Sequence, residues 1–165
     1  MMKVIIHALS VGDETTGGYI YFFRRESRFD MVKLIVGLKG TGKTKTLIEM
    51  VNGAAASSHG SVVCLEQGDK LRFDINYQVR LVDVSEYGVE THEELSGFVY
   101  GMYASNHDIT HIFIDSALKM CGNDVEKFKS FFVRAASFAD KNGIDLVVTS
   151  SVLEDDLPQE LKKYL

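Results

Sequence analysis

Lys43 and Thr44 close the run Gly37-Leu38-Lys39-Gly40-Thr41-Gly42-Lys43-Thr44, which satisfies the spacing G-x-x-x-x-G-K-[ST]. That is the Walker A phosphate-binding loop, and each residue type has a physical task in it. Glycine at 37, 40 and 42 lets the backbone take positive φ and turn its N–H groups inward as a nest for an anion. A helix beginning at the end of the loop adds unpaired N–H groups and the positive end of its dipole. Lys43 is expected to reach β- and γ-phosphates, and the Thr44 hydroxyl to ligate Mg²⁺.

The second acid of such a site is expected at Asp115. The apolar run His111-Ile112-Phe113-Ile114 leads into it, as a strand leads into a Walker B aspartate that holds Mg²⁺ directly or through water. Many ATPases of this class place a glutamate next in the chain to polarise the attacking water, but Ser116 stands there. The base is therefore sought at other strand ends, first at Glu66 and then at Asp83. Thr149, Ser150 and Ser151 end a further strand pattern. A hydroxyl there, assigned to Ser150, is expected to sense the γ-phosphate or orient water. Lys43, Glu66 and Ser150 are thus the catalytic candidates. Gly37, Lys39, Gly40, Thr41, Gly42, Lys43 and Thr44 are the nucleotide-binding ones, with Thr44 and Asp115 as metal ligands.

The elements that must position these residues follow from periodicity. Residues 32–36 form a β-branched apolar run that stops at glycine, and Leu47, Ile48 and Val51 recur at helical spacing after it. Strands are expected at 61–66, 78–84, 110–115 and 144–149, with residues 67–76 a polar surface connection. Thr91-His92-Glu93-Glu94 is a capping-box pattern opening a helix that presents Leu95, Phe98, Val99 and Met102 on one face. Asn123 and Glu126 offer another capping box before a long helix, and Asn142-Gly143 marks its end. A short helix is expected from Pro158. Strands alternating with helices predict an α/β fold, a parallel-sheet P-loop NTPase sandwich with helices on both faces and ligands at the carboxyl ends of the strands.

Residues 1–30 read as an appendage or an over-extended start. Strand patterns at 4–9 and 19–23 flank a turn-rich stretch at 12–18, as in a hairpin at a sheet edge. Residues 31–165 then form the nucleotide-binding domain. The composition, 45% hydrophobic and 25% charged in 165 residues, suits one domain with its own core. A net charge of −5 gives no footprint for nucleic acid. No apolar run is long enough to span a bilayer and no signal-peptide layout is present, so cytoplasm is the expected location. Cys64 reads as core and Cys121 as part of a helix-like turn. His107 and His111 share H-x-x-x-H spacing but straddle a loop and a strand, which suits solvated or strand-end histidines better than zinc.

The segment 31–165 resembles small bacterial P-loop proteins described as ATP-binding proteins, some of them labelled by likeness to twitching-motility retraction ATPases. The resemblance rests on VKLIVGLKGTGKTKTLIEM, on HIFID, and on IDLVVTSS followed by LPQELKKYL. It implies ATP binding. The absence of an N-K-x-D motif favours adenine over guanine. The expected function is Mg²⁺-dependent ATP binding with slow hydrolysis, coupled to an unidentified protein partner. The alternatives are a small-metabolite kinase and a non-hydrolysing nucleotide switch.

Overall fold

The computed structural model describes residues 31–165. The hairpin expected near the N-terminus lies outside the described residues. Five strands, β1 (Val32–Val36), β2 (Ser61–Glu66), β3 (Arg80–Asp83), β4 (Ile109–Ile114) and β5 (Asp145–Ser150), form one sheet in the order β1-β5-β4-β2-β3. Every pairing is parallel. The helices are α1 (Lys43–Ser57), α2 (His92–Ser105), α3 (Ala117–Met120) and α4 (Val125–Asn142). Among the described residues no helix is long and apolar enough to cross a membrane.

Strand side chains alternate between faces, and the core divides accordingly. Leu34, Val63, Leu65, Ile112, Ile114, Leu146 and Val148 pack with Leu95 and Val99 of α2 and with Phe128, Phe131 and Phe132 of α4. Val62, Cys64, Phe113 and Val147 point the other way and pack with Leu47 and Val51 of α1. The larger cluster is stiffened by aromatic contacts. Phe132 meets Phe128 at 6.0 Å and Tyr164 at 5.1 Å between ring centroids.

Helix ends follow the local chemistry. The capping box at Thr91 forms as its sequence requires: Thr91 Oγ1 accepts from the Glu94 amide at 3.2 Å and the Glu94 carboxylate accepts from the Thr91 amide at 2.9 Å. Gly143 ends α4 in the left-handed region at φ 69°. The start of α4 departs from expectation. Its N-cap is Asp124, whose carboxylate accepts from the amides of Glu126 and Lys127. Asn123, at φ 58°, instead completes the end of α3 by donating its amide to the Leu118 carbonyl. α3 is so short that the sequence shows it only as a turn.

The strand expected at 78–84 is trimmed at both ends to Arg80–Asp83. Asn76 draws the amides of Gln78 and Val79 into a turn, and Asp83 caps a 3₁₀ helix at Val84–Tyr87. After Pro158 the chain forms a 3₁₀ helix, Gln159–Tyr164, that buries Leu161.

Phe132→Ala is expected to destabilise the protein by about 3–5 kcal/mol through the cavity it leaves. Thr91→Ala is expected to cost about 1 kcal/mol through loss of the cap. Urea unfolding midpoints of the two variants check both values. A Phe132→Ala protein as stable as Thr91→Ala would contradict the packing of α4 described above.

Candidate functional site

The apolar strand β1 runs straight into the glycine-rich loop, and the loop into α1. Gly37, Gly40 and Gly42 have φ of 148°, 88° and 89°, so the loop uses the backbone freedom that its composition supplies. A side chain at Gly37 would also collide with Thr41, because an added Cβ would lie 2.7 Å from Thr41 Oγ1. The loop is fastened from outside, the Gly37 amide donating to the Val152 carbonyl at 3.0 Å beyond the end of β5. Inside it, Thr41 Oγ1 donates to the Leu38 carbonyl at 2.8 Å. Lys43, only 9% exposed, folds back over the loop and donates to the carbonyls of Gly37 and Leu38 at 2.6 and 2.8 Å. Burial pulls its pKa below the ordinary lysine value, and the negative charge of Asp115 opposes that. Lys39 is exposed.

Strand parity places the polar residues. In β2, β4 and β5 the side chains of Cys64, Phe113 and Val147 face α1. Two residues on, in the same phase and at the carboxyl ends, come Glu66, Asp115 and Thr149. Asp115 is 8% exposed and collects three hydroxyl donors. Thr44 Oγ1 donates to its Oδ1 at 3.2 Å, Thr149 Oγ1 to the same oxygen at 2.9 Å, and Ser116 Oγ to Oδ2 at 2.9 Å. The Thr149 oxygen in turn accepts the Ser116 amide at 2.8 Å. Ser116 reaches this position in the left-handed region, at φ 57° and ψ 40°. That conformation costs a non-glycine residue about 1–2 kcal/mol. Residues 44 and 115, 71 positions apart, thus meet through a direct hydrogen bond.

Glu66 is 3% exposed. Both its oxygens accept the Leu71 amide, at 3.3 and 3.1 Å, and the Lys70 amide also donates to it. Burial raises its pKa above the ordinary glutamate value; those amide bonds oppose the rise, and the charges of Asp115 and Asp83 add to it. The position and the raised pKa suit a base. The amide bonds mean that the carboxylate already has occupants.

The other strand-end candidates are placed differently. Asp83, the second candidate base, is held as a structural group. It accepts the Gly68 amide at 2.9 Å and both the amide and the hydroxyl of Ser85 at 2.9 and 2.6 Å. Those bonds, the one from Gly68 foremost, hold its pKa below the usual aspartate range, which is the wrong direction for a base. Ser150 falls in the phase of Val148, toward the opposite face of the sheet. It is 0% exposed and its hydroxyl has no hydrogen-bond partner. The strand-end hydroxyl that meets Asp115 is that of Thr149. Counting outward in twos from the core-facing Val147 is the sequence signal that separates the two.

The histidines have separate surroundings. His107 lies against Tyr103, and His111 pairs with Asp145 across β4 and β5 at 3.2 Å. Among the described residues no group of three or more His, Cys, Asp or Glu is arranged around a common point for a metal. A cavity of ≈ 290 Å³ opens beside Ser61, Gln78, Arg80 and Asn106, at the opposite end of the sheet from the loop. An anion nest does not require such a cavity, because it wraps its ligand in backbone N–H groups at the surface.

The Asp83 contacts carry a pH dependence. Its folded pKa lies below its unfolded value, so its contribution to stability is present above about pH 4, the unfolded value. It is lost as pH falls through the folded pKa. The stability difference between wild type and Asp83→Asn should therefore be widest near neutrality and narrow toward low pH, as urea titrations at a series of pH values would show. A gap independent of pH would contradict it. No family model matches this chain and no curated protein matches it; what the site does must be inferred from its own atoms.

Proposed function

We propose that residues 31–165 form a P-loop NTPase domain that binds Mg²⁺-ATP and hydrolyses it slowly, its cycle coupled to a protein partner. The observation that carries this reading is the hydrogen bond between Thr44 and Asp115 at 3.2 Å. It joins the hydroxyl that ends the loop motif to the acid that ends the apolar strand motif. A chance glycine-rich turn has no reason to make that contact.

The donor set fits the cation. Mg²⁺ takes hard oxygen ligands and is commonly held by one or two carboxylates together with substrate phosphates and water. Asp115 supplies a carboxylate. Thr44, giving its proton to Asp115, keeps its lone pairs for a cation. When bound, Mg²⁺ neutralises charge on the phosphates and polarises the bond to be cleaved. The remaining work falls to the chain. The loop amides and the start of α1 hold the phosphates, and Lys43 exchanges its two carbonyl partners for phosphate oxygens. Thr149 fixes the orientation of Asp115. Glu66, next to Asp115 in the sheet, takes the proton of the attacking water.

The occupied carboxylate of Glu66 favours slow turnover, because the Lys70 and Leu71 amide bonds stabilise its charge and so weaken it as a base. The same observation supports the second reading, a nucleotide-bound switch without hydrolysis. With excess Mg²⁺-ATP, wild type is expected to release phosphate slowly, and chelation of Mg²⁺ to stop it. Lys43→Ala should lower the rate by at least about tenfold, the equivalent of one hydrogen bond to a charged group. A phosphate-release assay decides this. Saturable binding with no release would leave the switch, and equal rates in wild type and Lys43→Ala would contradict the site.

A further inference from the structure

The connection between β2 and β3 is fastened at its root by the acids that end those strands. Glu66 holds the amides of Lys70 and Leu71, and Asp83 holds that of Gly68 at 2.9 Å. Its crest is fastened to α1, where the Asn52 amide nitrogen donates to the Asp74 carbonyl and its oxygen accepts the Asn76 amide, both at 2.8 Å. Glu66 stands beside Asp115, and α1 begins at Lys43. Two of the anchors therefore belong to elements that would bear on a bound nucleotide.

Between the anchors the side chains alternate. Leu71 and Ile75 turn inward against the cluster on α1, whereas Phe73 and Tyr77 are 93% and 92% exposed. Among the described residues, large apolar side chains are exposed to this degree nowhere else. The expectation of a polar surface connection at 67–76 is thus met only in part. The segment is at the surface, but it buries Leu71 and displays Phe73, with Tyr77 exposed just beyond it.

We infer that Glu66 couples occupancy of the phosphate site to this segment. Its carboxylate holds the Lys70 and Leu71 amides; as Mg²⁺-ATP binds it gives them up to face the water at the γ-phosphate. This rests on the ATP-binding reading above. The Lys70 and Leu71 amides and a water at the γ-phosphate compete for one carboxylate: its two oxygens share the Leu71 amide, and turning toward the water lengthens those bonds. Charge pushes the same way. Glu66 is repelled by Asp115, and a divalent cation on Asp115 converts that repulsion into attraction. The consequence is that Phe73 and Tyr77 are presented differently in the two states. Glu66 then acts on the segment as a positioning residue as well as on the reaction.

The chain contains no tryptophan, so Phe73→Trp introduces a single indole, excited apart from the tyrosines, at an exposed site. The full chain is titrated with Mg²⁺ and a non-hydrolysable ATP analogue while calorimetry, indole emission and amide hydrogen exchange are followed. The expected result is a shift in emission on binding and faster exchange at Leu71 by at least about tenfold, the value of one charge-assisted hydrogen bond. In Glu66→Ala the Leu71 amide should already exchange at that faster rate and respond no further to the analogue. Calorimetric binding without any change at Leu71 or in the emission would overturn the coupling while leaving ATP binding intact. So would a Glu66→Ala protein in which Leu71 is protected as in wild type. Absence of calorimetric binding would instead overturn the ATP-binding reading, and the coupling with it.

Discussion

A carboxylate that is 8% exposed must be satisfied by the fold or it destabilises the fold. Asp115 is satisfied by three hydroxyls, from the first turn of α1, from the end of β5 and from the residue that follows it. Those three bonds set the relative positions of the loop, the helix behind it and the two central strands. The sheet order serves the same arrangement. β5 stands between β1 and β4, and its pairing of Val148 with Ile114 brings Thr149 level with Asp115. The Gly37 amide is tied to Val152 just past β5, so one strand both fastens the loop and orients the acid.

Much of this was legible in the sequence, for identifiable reasons. Strand and helix order followed from apolar periodicity, because a parallel sheet buried on both faces demands continuous β-branched runs and helices with a single apolar stripe. The capping box at Thr91 and the stop at Gly143 were readable because those interactions close within a few residues. What escaped was set by tertiary partners. Asn123 and Asp124 both suit a cap, and the choice was made by α3, whose end required a left-handed residue at Asn123. Asp83 reads as a strand-end acid until the structure brings the Gly68 amide onto it. Ser150 and Thr149 are adjacent hydroxyls in the sequence, and only the phase of β5 assigns one to each face. The order β1-β5-β4-β2-β3 depends on pairings between strands remote in the chain, to which local pattern is blind.

Ser116 shows how one substitution in a familiar pattern redistributes roles. In the proposed reading a glutamate at this position would stand before the γ-phosphate. Ser116 instead turns back, donating its hydroxyl to Asp115 and its amide to Thr149. It stiffens Asp115, and in the proposed reading water activation falls to the neighbouring strand. There Glu66 is already in use by the chain that follows it. A base with a structural second occupation is a poor catalyst for rapid turnover and a good sensor of occupancy, and the proposed slow hydrolysis and the proposed loop coupling both rest on that one arrangement.

The central claim, that Gly37 to Thr44 is a working phosphate site completed by Asp115, is tested most directly by calorimetric titration of ATP with and without Mg²⁺. The titration is made into wild type, Lys43→Ala and Asp115→Asn. The account predicts saturable binding to wild type that is weakened by Lys43→Ala in either condition. Asp115→Asn should remove the advantage conferred by Mg²⁺ while retaining metal-free affinity. Binding unaffected by either substitution, or no binding to wild type, would contradict it.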